Sequence, residues 1–501
     1  MTPVTASVHH NAAQPQRNLT NVLTTPADKL DMDSLKTSTG RGSTRQEWIY
    51  LLVAILLGLM VRLLAVVALG ERFHEDPDAY QRLAKQWTET SSFALIPKEL
   101  NLEGGQGSDE SKAYPTESRA YPTAFRPPLY PLILSCLQNT GFSPSASVIT
   151  LHLILGLLTC GGTYWLGRNW LNRPLSLLAS ALVAADPILV FQSVQVMTET
   201  MATFLALMIL LLWVFSVKTN RIAGYWWTGL VLGLAILCRP PFVLWAPFLA
   251  LFTVTRKEES SNRHFDRQSR WAHAVLLTVS TLLVVAPWVY RNYRVFGEPK
   301  LTTTHGGYTL LLANNRSLYN AFAKGERLGD WEAETPEFQA ILSQAYPFQV
   351  RSSEGELKRD QAYSAAAWET MVESPLLCLQ TSLVRLYWFW SPMPHGSQEE
   401  SRVRHNLRIC IAVFYCIQFS FAAYGVKQFG TWATTTKWYF IGWLSFAFAL
   451  TAVHSVYWSN LRMRAPLVPM LTVLSILGLC ALLQNIQRKR KPTAETQVEV
   501  R

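Results

Sequence analysis

The run WIYLLVAILLGLMVRLLAVVAL, residues 48–69, followed almost at once by HEDPDAYQRLAKQW, residues 74–87, decides the fold class. The first run carries a single charge, Arg62. It is long enough to cross the hydrocarbon of a bilayer, which takes roughly 20 apolar residues in a helix. The second run brings acids to the mouth of that span, and AFRPPLYP, residues 124–131, brings a guanidinium to where the chain turns back. Charges beside lipid are costly and mark places where something uses them.

Similar apolar windows recur near residues 145–166, 173–192, 197–216, 224–238, 241–255, 272–289, 405–426, 438–456 and 465–485. The hydrophobic share of 49% understates this, because polar loops dilute the average. The pattern predicts an all-α integral membrane protein of about ten spans, within a range of roughly nine to thirteen. Two large segments lie on the outer side. The divisions are 1–45, a disordered tail; 46–290, a first membrane module with the outer loop 70–127; 291–400, an outer segment with an interfacial helix; 401–486, the last membrane helices; and 487–501, a basic tail. The segment 128–138 is too short to span and reads as a surface or re-entrant helix, and 376–392 reads as lying along the interface, with Trp388 and Trp390 at headgroup level. Asp186–Pro187 reads as a break in the third span.

The net charge of +11 raises nucleic acid as a partner. Its placement argues otherwise, since basic clusters fall in short loops such as 256–270 and in the tail Gln487–Lys491. That is the positive-inside bias, and it puts both termini in the cytoplasm of a multi-pass plasma-membrane protein. No helix-turn-helix, finger or stacking module accompanies the charge. The seven cysteines form no CxxC pair and read as small buried hydrophobes. The glycines of HGGYTLLLANN (305–315) match no phosphate loop, and Gly306–Gly307 reads as a turn.

Against the charge bias, Arg126, Arg239, Arg291, Arg294, Arg462 and Arg464 all fall at outer span ends, with Arg62 in the outer part of the first span. Each alone is explained by snorkelling or pairing with loop acids; pooled, they make a cationic field suited to a lipid-linked phosphate. Asp76 reads either as the N-cap of a helix with Pro77 first inside, or as a general base facing Arg126. Asp78 falls in the first turn, as a solvated acid or as the alternative base. Glu199, at the mouth of the fourth span, reads as a dipole-favoured helix start or as a second acid across a cavity from Asp76. His74, His305 and His454 lack metal-ligand spacing, while Asn314 and Asn315 read as lining a polar pocket.

Taken in order, these residues resemble the GT-C membrane glycosyltransferases, in particular the bacterial relatives of the dolichyl-phosphate-mannose–protein mannosyltransferases and of the enzyme that attaches aminoarabinose to lipid A. The resemblance rests on Asp76 and Tyr80 as Asp-x-x-x-Tyr and on Arg126–Pro127–Pro128. It continues through Thr198–Glu199–Thr200, Arg239–Pro240–Pro241 and Pro287–Trp288 with Arg291–Asn292–Tyr293. It ends with Gly306–Gly307–Tyr308, Asn314–Asn315, and Arg462, Arg464 and Pro466. Pro77 stands where the family often has a second acid, which leaves the base open between Asp76 and Asp78.

The resemblance implies a GT-C-type bundle and sugar transfer from a polyprenyl-phosphate donor to an envelope glycan, lipid or protein on the outer face. Inversion by single displacement would use Asp76 or Asp78 as base. Tyr80, Arg126, Glu199, Arg239, Arg291, Asn314, Arg462 and Arg464 would bind substrate and phosphate, with no cofactor or catalytic metal. Two other classes stand beside it: a polytopic lipid or saccharide transporter, whose site belongs near the bilayer midplane, and a non-catalytic assembly protein.

Overall fold

The structure, a computed structural model, describes residues 44–97, 120–256, 267–326, 335–396, 400–428 and 434–490. The expectations for the N-terminal tail up to 43, residues 98–119 of the outer loop, most of the basic run 256–270 and the tail from 491 lie outside the described residues.

Helix α1 (Thr44–Leu69) runs into a 3-10 turn at Gly70–His74. A short α2 (Tyr80–Thr90) follows, then a two-stranded antiparallel ribbon of β1 (Ala94–Leu95) and β2 (Tyr121–Pro122), with Ala94 opposite Pro122 and Leu95 opposite Tyr121. The non-spanning helix is α3 (Leu129–Asn139). Next come α4 (Pro144–Gly167), α5 (Arg173–Ala184), α6 (Pro187–Gln192), α7 (Glu199–Thr219) and α8 (Ile222–Cys238). A 3-10 turn at Pro240–Leu244 leads into α9 (Trp245–Thr255), and α10 is Arg267–Phe296.

The second polar segment holds α11 (Gly306–Ala313), α12 (Arg316–Ala323), α13 (Pro336–Ala345), α14 (Ser353–Glu373) and α15 (Pro375–Trp390). The last membrane helices are α16 (Arg402–Lys427), α17 (Thr434–Val456) and α18 (Val468–Arg490), the last preceded by a 3-10 turn at Leu461–Leu467.

Among the described residues seven helical segments are long and apolar enough to cross a membrane: those built on α1, α4, α7, α10, α16, α17 and α18. Three shorter apolar helical segments, Arg173–Ala184, Ile222–Cys238 and Pro240–Thr255, stand where the sequence places the other spans. The third is interrupted as expected. Asp186 caps α6 by accepting the Leu189 amide at 3.0 Å, and Pro187 opens that helix. This is an all-α membrane protein of several spans; the largest core cluster joins the bundle to the first outer loop, and a smaller one packs α11, α13 and α14 of the second polar segment.

Two ends of the bundle can be told apart. At one, Glu47 at the start of α1 takes Arg168 from the end of α4 at 2.6 Å and Arg173 from the start of α5 at 2.5 Å. The other end carries α2, α3, the ribbon and α11–α15. Helix α15 sits there with one face exposed (Leu376, Leu379, Leu383, Tyr387) and the other buried. Arg385 on its buried face donates to the Ser455 and Ala313 carbonyls at 2.9 and 2.7 Å. The expectation for Trp388 is corrected: it is buried, edge-on to Trp458, and the outward aromatic is Tyr387. Gly306–Gly307, read as a turn, opens α11 instead.

Candidate active site

The site begins in the turn after α1. The reading of Asp76 as N-cap with Pro77 first in the helix is corrected: α2 starts at Tyr80, and Ala79 before it is left-handed, with φ 60°. A residue in that conformation cannot continue a right-handed turn. Asp76 still serves the helix from outside it. Its Oδ2 accepts the Arg82 amide at 3.0 Å and lies 3.4 Å from the Arg82 guanidinium, and its carbonyl accepts that guanidinium at 3.0 Å. Burial pushes the Asp76 carboxyl above the usual aspartate value, against the pull of the first-turn amides and Arg82. Its Oδ1 is buried and accepts no hydrogen bond among the described residues.

The expected facing of Asp76 and Arg126 is also corrected, because the partner of Arg126 is Asp78. Arg126 Nη2 donates to Asp78 Oδ1 at 2.9 Å and Nε to the Asp78 carbonyl at 3.2 Å. The guanidinium lies over the Phe125 ring at 4.3 Å. Pro77 shifts the second acid by one position, and that shift brings Asp78, not Asp76, to the arginine.

Glu199 is the first residue of α7, where unpaired amides favour an acid. It is 2% exposed and takes two cations, Arg239 at 3.1 Å and Arg462 at 3.6 Å. Arg239 reaches it because Pro240 forces the preceding residue out of helix, ending α8 at Cys238 with Arg239 extended. Arg462 is presented by the 3-10 turn, whose Asn460 side chain accepts the Arg462 amide at 3.2 Å. Glu199 Oε2 is buried and accepts no hydrogen bond among the described residues.

Four of these groups act on one ring. The phenol of Tyr80, held above its ordinary value first by burial, also feels the charges of Asp78, Arg126, Glu199 and Arg239. Tyr80 meets Tyr130 edge-on at 5.1 Å, and the Tyr130 phenol feels both Asp76 and Glu199. Tyr130 in turn bonds His152 Nε2 at 2.9 Å, while His152 Nδ1 lies 3.0 Å from the Ser193 carbonyl. That carbonyl can only accept, so Nδ1 carries the proton and the Tyr130 hydroxyl donates to Nε2. The pair fixes α3 to the bundle. Four arginines (82, 126, 239 and 462) thus meet three carboxylates (76, 78 and 199), and the balance is cationic.

Other expected site residues stand elsewhere. Arg291 donates to the Thr123 and Phe93 carbonyls at 2.7 and 2.8 Å. Arg464 is fully buried on the far side of its turn, donating to the Phe389 and Ser391 carbonyls and lying over Tyr415 at 4.5 Å. Asn314 bonds Leu310, Val456, Tyr319 and Arg385. Arg62 packs flat against Gly156, 3.6 Å from Cys160 Sγ, and Arg294 bonds Tyr290. Among the described residues no group of three or more His, Cys, Asp or Glu side chains could hold a metal ion.

Sequence reading missed Glu356. It sits in a polar helix, and the signal was a buried face at 356, 360, 363, 367 and 370 that helical spacing makes continuous.

Residues 125–290 match the family model described as dolichyl-phosphate-mannose-protein mannosyltransferase, a stretch that includes Arg126, Glu199 and Arg239. No curated protein matches the chain in sequence. Among solved structures it resembles the oligosaccharyltransferase AglB of Archaeoglobus fulgidus. Against the complex with an inhibitory peptide and a dolichol-phosphate, the TM-score is 0.51 at 14% identity, covering 92% of this chain and 53% of that one. Against the apo form it is 0.51 at 16% identity, covering 89% and 52%. The chain spans about half the length of that relative. ArnT from Cupriavidus metallidurans, bound to undecaprenyl phosphate, aligns more loosely, with TM-score 0.35 at 12% identity over 89% of this chain and 79% of that one. The fold is of the GT-C type. Within that fold, residues 125–290 resemble the protein mannosyltransferases.

Proposed function

We propose that the chain transfers a sugar from a polyprenyl-phosphate donor to a cell-envelope acceptor, on the extracytoplasmic face of the plasma membrane, with both termini cytoplasmic. The observation that carries this reading is the cluster around Tyr80. There Tyr80 packs on Tyr130, whose phenol feels both Asp76 and Glu199; Asp76 Oδ1 accepts no hydrogen bond among the described residues, and Glu199 holds Arg239 and Arg462. The fold relative captured with a dolichol-phosphate agrees with a lipid-linked ligand.

In this reading an acceptor hydroxyl attacks the anomeric carbon while the bond from that carbon to the phosphate oxygen breaks. The hydroxyl proton passes to Asp76, and the configuration inverts. The departing polyprenyl phosphate carries the negative charge, which Arg462 and Arg239 stabilise. Arg126 takes one oxygen of Asp78 and Arg82 one oxygen of Asp76, so the proton is assigned to Asp76 on its burial, which raises its carboxyl, and Asp78 is assigned to hold Arg126. Arg291, Asn314 and Arg464 are assigned to scaffolding, because backbone carbonyls take their donors. The arginines supply the counter-charge that a metal would otherwise give, so transfer is expected to run at an unchanged rate after exhaustive chelation.

The test supplies purified protein with radiolabelled polyprenyl-phosphate sugars and extracted envelope acceptors. Asp76→Asn is expected to cost about 10²- to 10⁴-fold in kcat, the usual worth of a general base. Asp78→Asn is expected to act mainly through the donor KM, and Arg462→Ala to lower kcat, since the charge Arg462 meets develops as the donor bond breaks. Transfer by Asp76→Asn at the wild-type rate would remove the base assignment, and lipid movement without covalent product would replace the enzyme with a transporter.

A further inference from the structure

The arm that carries Arg126 has no regular structure beyond β2, yet every backbone polar group from Thr123 to Phe125 has a partner. The Thr123 amide donates to the Phe93 carbonyl at 3.1 Å, and the Thr123 carbonyl accepts Arg291 at 2.7 Å. The Ala124 carbonyl accepts the Thr304 amide at 2.9 Å. The Phe125 amide donates to Thr123 Oγ1 at 2.9 Å, and the Phe125 carbonyl accepts the Thr303 hydroxyl at 2.6 Å. The remaining group, the Ala124 amide, donates to Glu356 Oε1 at 3.0 Å.

Glu356 does more than satisfy that amide. Its Oε1 also accepts the Thr304 hydroxyl, and its Oε2 accepts the Thr123 hydroxyl at 2.6 Å. The side chain is wholly buried. Three donors from two distant parts of the chain converge on it, and a carboxylate is the side chain that accepts from all of them with both oxygens. One helical turn on, Asp360 accepts the Gly307 amide at 2.7 Å and takes Lys300 at 3.4 Å. Helix α14 therefore presents two acids to the first outer loop and to the start of α11. Next along the arm come Phe125 and Arg126, whose guanidinium lies on the Phe125 ring and holds Asp78.

We propose that Glu356 is a positioning residue: from the second outer segment it fixes the arm that sets Arg126, and through Arg126 it sets Asp78 beside Tyr80. The role given to Arg126 at the site rests on the reading above, while the clamp itself does not. The two outer segments then work as one unit, and a lesion in α14 is felt at the donor site.

The test uses the full chain in lipid nanodiscs. Backbone hydrogen exchange is followed in the wild type, Glu356→Ala, Glu356→Asp and Glu356→Gln. The glutamine can keep its oxygen on Ala124 and Thr304 and turn its amide toward Thr123 Oγ1, so it is the folded control if alanine misfolds. Exchange in 121–127 and 79–84 is expected to rise about tenfold or more in Glu356→Ala. Glu356→Asp should show a smaller rise in the same segments, with the spans unchanged. Exchange at 121–127 that stays at the wild-type level in both Glu356→Ala and Glu356→Asp overturns the clamp.

Binding of undecaprenyl phosphate then supplies a cycle with Arg126→Ala. Glu356→Ala is expected to weaken binding about tenfold with Arg126 present and less than about twofold without it. Equal losses in both backgrounds make Glu356 merely structural and overturn the positioning role. If the wild type binds no polyprenyl phosphate, the proposed activity falls, and the clamp is decided by the exchange measurement.

Discussion

Glu199 holds two guanidinium groups on one carboxylate, in a place where 2% of its surface reaches solvent. Removing that charge leaves two cations facing each other in low dielectric, and breaking a buried pair from one side costs about 3–5 kcal/mol. Glu199→Gln is therefore expected to lower the unfolding midpoint in detergent sharply, whereas Arg462→Ala, which leaves Arg239 on the acid at 3.1 Å, should lower it much less. Comparable losses would show that Arg462 and Arg239 share the charge equally. Asp76 gives the pH dependence. Burial sets its folded value above the ordinary 3.8, so folding takes up a proton between the two values. Its contribution to stability is full below 3.8 and is lost as pH rises through the folded value. Base catalysis has the opposite sense, appearing as pH rises through that same value. The acid limb of kcat/KM is expected above 3.8, and a limb at or below 3.8 in a pH–rate profile would count against Asp76 as the base.

The neighbouring glycines at the start of α11 show how elements dock. A β-carbon on Gly306 meets nothing within 4 Å, while one on Gly307 would lie 2.1 Å from the Asp360 carbonyl of α14. Gly307→Ala should part α11 from α14 and cost on the order of 1–3 kcal/mol, as overpacking does. Gly306→Ala should be neutral in the same thermal melt, and equal effects would mean that the two helices do not touch there. This contact was not legible in HGGYTLL, since a glycine pair reads the same whether it turns the chain or lets a helix approach. The spans were legible, because a bilayer demands a length and an apolarity that a short window displays. So were Glu199, at the start of an apolar span, and Arg239, before the proline that ends its helix. The partner of Arg126 was not, because Ala79 turns left-handed and reassigns the acids across 48 residues of sequence. Glu356 was hidden for the same reason, since its partners Thr123 and Ala124 are more than two hundred residues away and Thr304 is 52 away.

At the scale of the whole molecule, the charged site and both polar segments gather at one end of the bundle, with the Glu47–Arg168–Arg173 cluster at the other. The two ends must then face different compartments. Helix α15 tests that arrangement most sharply. Its 16 residues rise about 24 Å, short of the roughly 30 Å of hydrocarbon, and Arg385 anchors it to the Ser455 carbonyl near the end of α17. If it lies along the interface, the chain before and after it stays on one side. In a cysteine-free background, Lys358→Cys before α15 and Arg402→Cys after it should react with a membrane-impermeant maleimide from the same side of sealed vesicles. Arg221→Cys, between α7 and α8, should react only when the opposite side is opened. Labelling of positions 358 and 402 from opposite sides would make α15 a span, reverse α16 to α18, and carry Arg462 away from the compartment of Asp76. Since Arg462 and Arg239 meet on Glu199 at 3.6 and 3.1 Å, that outcome would dismantle the site along with the topology.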